Sequence, residues 1–443
     1  MIFGYFLLFL SIITFFIPKL RYVSIVFYLG FMNEGFHIFN DLSHEGIKNT
    51  DMALVYTVVI SLYLFLSNKY KLPSLNFVRL YYVFLCFIVG SVLFSRYHYG
   101  LPWIDILQGG RFLLLIFCFP ILYNQSQKDV IKILKVLLYL TILFGMVYIM
   151  EVLLQFPIFL QHSDPLVDPS GIKRFLDYPP FTTFFLVLSF VYPSYFGRRL
   201  LFVRIILILC VLGSLGRTFL LVNLLGVMLA LFVAGLNRRI IKAFSIALLF
   251  SVPFWGIIYS RFSSGGTAGD LLSILNGGIE MYAFEHTSDA TMTYRLAWVY
   301  ERIVYLLSSP ISEQFFGLGL VSDGSPLSKA MYDFYFKISF PSITMQLRTP
   351  DIAYATIMAY YGFGGCLIYF SLIISIICYF YLHRKSNVFF LASAAVMIVT
   401  LVEAFATDKV SNPQWLALYF LIISLVRPNK TTKFFQNAYL IHN

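Results

Sequence analysis

The feature that most constrains this chain is a succession of apolar runs, each about twenty residues long, separated mostly by short polar connections. They fall at about 2–17, 22–40, 52–67, 77–95, 108–123, 131–155, 180–196, 200–215, 217–236, 241–260, 351–381, 388–407 and 412–426. A helix needs roughly 20 apolar residues to cross a bilayer, rising about 1.5 Å per residue. Only 12% of the chain is charged and its mean hydropathy is +0.81, whereas soluble domains are about 25% charged. Such a chain cannot clothe itself in polar surface. An all-α polytopic membrane protein is expected, with twelve to fourteen transmembrane helices, thirteen as drawn here.

The alternation of outer-membrane strands is absent, as are internal repeats and low-complexity stretches. "MIFGYFLLFLSIITFFIPKLR" lacks a basic start and a small-residue cleavage site, and reads as a first membrane helix. Five cysteines, Cys86, Cys118, Cys210, Cys366 and Cys378, all sit in apolar runs and read as packing residues, so no disulfide or metal framework is expected. The net charge of +11 is scattered singly between apolar runs, which speaks for topology and against nucleic acid. Most of the 32 basic residues lie in every second connection, among them "NKYKLPSLNFVR", "RRLLFVR", "NRRIIK" and the tail "RPNKTTK". By the positive-inside rule these connections and the tail are cytoplasmic, and the N-terminus is outside.

One external connection stands apart. Residues 261–350 separate an N-terminal bundle, 1–260, from C-terminal helices and tail, 351–443. Ordinary loops of this length without a role are uncommon. Within it, "DATMTYRLAWVYERIVYLLSSP" carries Leu296, Val299, Ile303, Leu306 and Leu307 at helical spacing and stops at Pro310. That stripe predicts a helix lying on the outer interface or folded back over the spans. The run at 351–381 exceeds one span, so its start is expected to project from the membrane.

Arg174, Arg217, Arg295 and Arg348 all fall on the predicted outer side, with Arg111 at the outer end of its span. An arginine costs about 2.5–3.5 kcal/mol at the centre of a membrane helix, and is usually paired or turned to a polar cavity. Guanidinium groups match phosphate oxygens two-pronged, which lysine cannot do. The group predicts a site for a phosphate-bearing anion; the alternative is that each arginine meets headgroups or a nearby acid such as Asp168 or Asp177. Glu151 and Glu403, near the outer ends of their spans, are placed to pair with such an arginine. Glu34 and His37, three apart on one face, read as a helix–helix pair.

These pieces resemble, in order and sidedness, the O-antigen polymerase and O-antigen ligase superfamily over about residues 160–410. "SLGRTFLL" opens a span as that superfamily's Ser-X-X-Arg-like turn does, with Arg217 in place. "TYRLAWVYERIVYLLSSPISEQFFGLGL" is similar to its Arg-X-X-X-Trp-like helix followed by Pro and Gly-X-Gly, matching Arg295, Trp298, Pro310, Gly317 and Gly319. "TPDIAYATIMAYYGFGGCLIYF" matches its GxxG span with Gly362 and Gly365, and "GIKRFLDYPPFTTFFLVL" its preceding loop with Arg174.

The resemblance implies an inner-membrane glycosyltransferase whose active site faces the periplasm and whose donor is a glycan on undecaprenyl pyrophosphate. The leading expectation is a polymerase that moves the growing glycan onto the next lipid-linked repeat unit. The runners-up are a ligase delivering it to lipid A core and, from another class, a flippase for the same lipid; the paired broken helices of transporters are not evident. Membrane lipids and a chain-length regulator protein are the other partners expected, and no cofactor is. No Asp-X-Asp motif points to a metal-held sugar nucleotide, so arginines would neutralise the leaving pyrophosphate. Arg217 and Arg295 are expected to clamp it, with Arg174 and Arg348 beside them. Ligases of the superfamily carry a histidine near the loop's end; here "RTPDIAY" puts Asp351 in that place, as the base for the acceptor hydroxyl or as a helix cap. His286 is the other candidate base, or a solvated loop residue. Tyr294 and Trp298 are candidates to stack on sugar, or to pack a core.

Overall fold

Hydrophobic length rather than helical amphipathicity sets the elements, because a helix satisfies all of its own backbone groups in an apolar setting. The computed structural model describes residues 2–33, 36, 48–70, 72–158, 166–167, 173–175, 178–214, 216–236, 241, 245, 292–339, 344–349 and 351–426. Among the described residues, ten α-helices precede the long loop: α1 Ile2–Phe16, α2 Arg21–Met32, α3 Asn49–Leu66, α4 Asn76–Tyr97, α5 Trp103–Leu114, α6 Cys118–Tyr123, α7 Gln127–Leu154, α8 Thr182–Val191, α9 Leu200–Gly213 and α10 Arg217–Val233. The loop contributes α11 Met292–Ser308, α12 Ile311–Phe316 and α13 Pro326–Met331, and after it come α14 Ala353–Leu382, α15 Val388–Glu403 and α16 Ala417–Ile423. The described strands are two antiparallel pairs of two-residue pieces, β1 Leu166–Val167 with β2 Lys173–Arg174 and β3 Ile338–Ser339 with β4 Thr344–Met345.

Among the described residues, five stretches are long and apolar enough to cross a membrane: Asn49–Leu66, Asn76–Tyr97, Trp103–Tyr123, Gln127–Leu154 and Ala353–Leu382. Shorter apolar helices, such as Arg217–Val233 and Val388–Glu403, pack among them. Large apolar side chains point outward all along these helices, among them Phe65, Leu153, Leu201, Phe232 and Leu367. So much exposed apolar surface suits lipid rather than water, and the protein is a helical, membrane-type bundle. The expected run at 241–260 lies outside the described residues.

The 180–196 and 351–381 runs do not form uninterrupted helices. The 180–196 run stops being α-helical at Val191, where Tyr192 leaves the helical region ahead of Pro193 and a 3-10 turn follows. The 351–381 run forms α14 but breaks at Gly362, whose φ of 59° and ψ of −170° are open essentially to glycine alone. The stretch after the break is about 30 Å long, a membrane thickness.

The break is where the loop docks. Gly317, at φ 83°, runs directly over it, and Gly319, at φ 87°, lies against Tyr99 and Ser95. A Cβ on Gly362 would lie 2.5 Å from the Gly317 nitrogen and 2.6 Å from the Gln314 carbonyl oxygen. Leu318 donates its N–H to the carbonyl of Ala359 at 2.7 Å, three residues before the break. The contact of Gly317 with Gly362, and the Tyr360 hydroxyl donating to the Val321 carbonyl at 3.0 Å, thus fasten loop to bundle.

Helix α11 folds back onto α14, with a buried face that keeps Leu306 of the expected stripe but is turned toward Trp298 and Arg302. Trp298, Arg302 and Leu306 are buried, while Leu307 is 62% exposed. Arg302, only 1% exposed, donates to the carbonyls of Phe336 and Gln346 and pairs with Glu301. Its guanidinium also lies over the rings of Trp298 (4.9 Å) and Phe334 (4.2 Å). A buried arginine with its donors used organises the loop where an aliphatic stripe was expected.

Candidate functional site

Helix ends converge at one end of the bundle: the start of α3, the start of α8, the end of α15 and the turn 404–416 that follows it. That turn is fixed to α14. The Ala353 N–H reaches the carbonyls of Ala404 (3.0 Å) and Thr407 (2.9 Å), and the hydroxyls of Tyr361 and Tyr369 take the carbonyls of Ser411 (2.9 Å) and Val410 (2.8 Å). Among these ends lie two adjoining hollows, of about 470 Å³ and 280 Å³, which share Lys48, Phe112, Arg348 and Asn412 as lining. Phe181, in the wall of the larger, is held at φ 66°, a strained conformation for an aromatic residue.

Arg348 is the centre of the arrangement. Its Nε donates to Asp408 Oδ2 at 2.8 Å, and its guanidinium lies 4.7 Å from the centre of the Phe112 ring. Arg111 approaches the same ring at 5.2 Å and pairs with Asp51 at 3.3 Å. One ring therefore serves two guanidiniums, each contact worth about 0.5–1 kcal/mol or more where water is excluded. Burial works against the charge on Arg348, but Asp408 outweighs it by attraction and hydrogen bond, so proton affinity ends above that of a free arginine.

Asp323 anchors the strand leading to Arg348. Its carboxylate accepts the backbone N–H groups of Gln346 (3.3 Å), Leu347 (3.0 Å) and Arg348 (2.8 Å), and the Ser328 hydroxyl at 3.3 Å. Burial pushes its carboxyl above the ordinary carboxylate range, and these donors pull it back only in part. On the far side, Lys409 Nζ stands 3.5 Å from Glu403 Oε2, and the Tyr178 hydroxyl meets Glu403 Oε1 at 3.4 Å. Glu403 therefore pairs with a lysine rather than with the arginine expected.

The four expected arginines stand in different settings among the described residues. Arg348 alone of them lines the two hollows. Arg217 is the first residue of α10, half-buried, two positions from Phe219, which stacks on Tyr178 of the hollow wall at 3.9 Å. Arg174 sits in β2 opposite Leu166. Arg295 faces Asp351 at 3.7 Å, both side chains partly exposed. The two residues expected to clamp and to deprotonate are thus each other's partner. Asp351 does not cap α14: Ile352 holds the cap position without a side-chain bond, and the Asp351 N–H goes to Thr349 Oγ1 at 3.1 Å.

Trp298 corrects the reading of a sugar platform. It is 1% exposed, and its indole N–H donates to the Phe336 carbonyl inside the loop's own core. Tyr294 lies within α11, with its side chain outside the described residues, and His286, Glu34, His37, Asp168 and Asp177 lie outside them altogether. Glu151 is buried, and its Oε1 accepts the Ile158 N–H at 2.7 Å.

Lys48, Asp323, Asp408 and Lys409 are the residues that the sequence did not single out. Their one signal was position: each charge stands beside an apolar run, in "IKNTD", "LVSDGS" or "FATDKVSN". Taken together, fold and site define a membrane-type helical bundle with a charged hollow at one end, its cations steadied by carboxylates and aromatic rings. No protein-family model matches the chain, and no curated protein matches it.

Proposed function

We propose that the protein is a membrane glycosyltransferase that polymerises surface polysaccharide, moving a glycan from undecaprenyl pyrophosphate onto the next lipid-linked repeat unit at the periplasmic face of the inner membrane. The observation that carries this reading is the placement of Arg348. It lines both hollows and is held by Asp408 and Phe112 at the rim of an apolar bundle. A fixed guanidinium in a hollow at the end of an apolar helical bundle fits a diphosphate whose tail stays in the bilayer. Lys48, Arg111 and Lys409 stand around it, so the charge that develops on a leaving pyrophosphate meets preset cations. The order of the sequence motifs from Arg174 to Gly365 supports the same reading.

In the test, purified protein in nanodiscs receives undecaprenyl-diphosphate-linked repeat units from a strain lacking this gene, and the products are resolved by size. A ladder of lengthening glycans is expected. Transfer only onto added lipid A core would make the protein a ligase, and unchanged substrate under all conditions would defeat the reading.

A further inference from the structure

A carboxylate buried among apolar helices is costly unless something nearby needs it. Glu403 is 1% exposed and closes the C-terminal end of α15, where the helix's own partial negative charge also opposes an anion. It lines the larger hollow, facing Lys409 and Tyr178, with Tyr419, Arg348, Asp408 and Lys48 around the same space. The two carboxylates there differ. Asp408 is engaged by Arg348 at 2.8 Å and by the Ser411 hydroxyl at 3.2 Å. Glu403 Oε2 is buried and accepts no hydrogen bond; Lys409 only stands over it, at 3.5 Å.

We propose that Glu403 is the proton acceptor of the transfer reaction and that Lys409 covers it until the donor arrives. This rests on reading the hollow as the site of glycan transfer. The Lys409 side chain is 43% exposed, and its contact with Glu403 is long for an ammonium–carboxylate pair. A diphosphate entering the hollow offers oxygens at about 2.7–2.9 Å, shorter and stronger contacts for the same ammonium. Lys409 then turns to the donor, leaving Oε2 open to the acceptor. The acceptor hydroxyl oxygen bonds to the anomeric carbon. The bond from that carbon to the diphosphate breaks, its electron pair leaving with the diphosphate. The hydroxyl proton passes to Glu403 Oε2 and later to water. Donor charge and base are thereby linked: the carboxylate is uncovered only when a leaving group is in place.

The experiment compares wild type, Glu403→Gln and Glu403→Asp in nanodiscs with undecaprenyl-diphosphate-linked repeat units. Removal of a general base is expected to lower kcat about 100-fold or more, with KM for donor within about 3-fold. Glu403→Asp keeps the charge and the ion pair but draws the oxygen back, and is expected to lower kcat about 10-fold or more at unchanged KM. Turnover near wild type in either variant would overturn the proposal, as would a loss of kcat that follows loss of donor binding. If Glu403→Gln does not fold, Glu403→Asp decides alone. A wild type that builds no ladder would instead refute the polymerase reading, so the two failures are distinguishable.

Discussion

Replacing Gly362 with alanine attacks the joint on which the loop rests. Alanine at φ 59° and ψ −170° costs about 1–3 kcal/mol in backbone strain. The added Cβ would sit 2.5 Å from Gly317 N, 2.6 Å from Gln314 O and 2.9 Å from Phe315 O, all backbone atoms that cannot rotate away. Relieving that contact withdraws the Leu318 N–H from the Ala359 carbonyl, a bond worth about 0.5–1.5 kcal/mol. Together these amount to about 2–4 kcal/mol, or about a 30- to 1000-fold shift toward an undocked loop. Hydrogen exchange in nanodiscs reads this as lost protection over residues 311–321. Gly324→Ala is the control, since a Cβ there meets only the Ser322 hydroxyl at 3.7 Å. If both variants exchange alike, the glycine joint does not hold the loop.

Arg302→Ala takes from the buried carbonyls of Phe336 and Gln346 a charged donor and leaves the Glu301 carboxylate without its cation, and is expected to cost about 3–5 kcal/mol, seen as faster exchange across 333–347; Arg302→Lys should not restore it, because an ammonium cannot reach the same acceptors at once. For Asp323, the folded protein holds the proton more tightly than the unfolded chain, so its contribution to stability falls as pH climbs from the ordinary value of 3.8 toward the raised one and is flat above it. Thermal unfolding across that window should show the decline in wild type relative to Asp323→Asn; an identical pH profile for both proteins would remove Asp323 as its source.

How far the chain could be read depended on how local each signal was. Apolar length places α4, α7 and α10 within a few residues of where they lie, because it asks nothing of distant partners. The break at Gly362 was written in the sequence as a glycine, but only the docking of Gly317 over it explains a left-handed residue inside a long apolar helix. On α11, leucines at helical spacing suggested the buried face, and Arg302 turned it toward Trp298 while keeping Leu306 inside, because carbonyls of Phe336 and Gln346 arrive from across the loop. That Arg348 has a partner was legible, since an arginine beside a membrane span needs one. Its setting was not: Phe112, Asp408 and Lys48 come from parts of the chain up to 300 residues away, and no spacing encodes such an assembly. The pairing of Arg295 with Asp351 escaped for the same reason.

The account turns on whether the hollow around Arg348 recognises a lipid-borne diphosphate. Native mass spectrometry of the purified protein with undecaprenyl diphosphate, comparing wild type with Arg348→Ala and Arg348→Lys, measures this directly. Loss of hydrogen bonds to a charged group, about 1.5–3 kcal/mol, predicts at least about 10-fold weaker binding to Arg348→Ala, with Arg348→Lys restoring it only in part. Equal binding by all three proteins, or equal binding of undecaprenol lacking the diphosphate, would contradict the account.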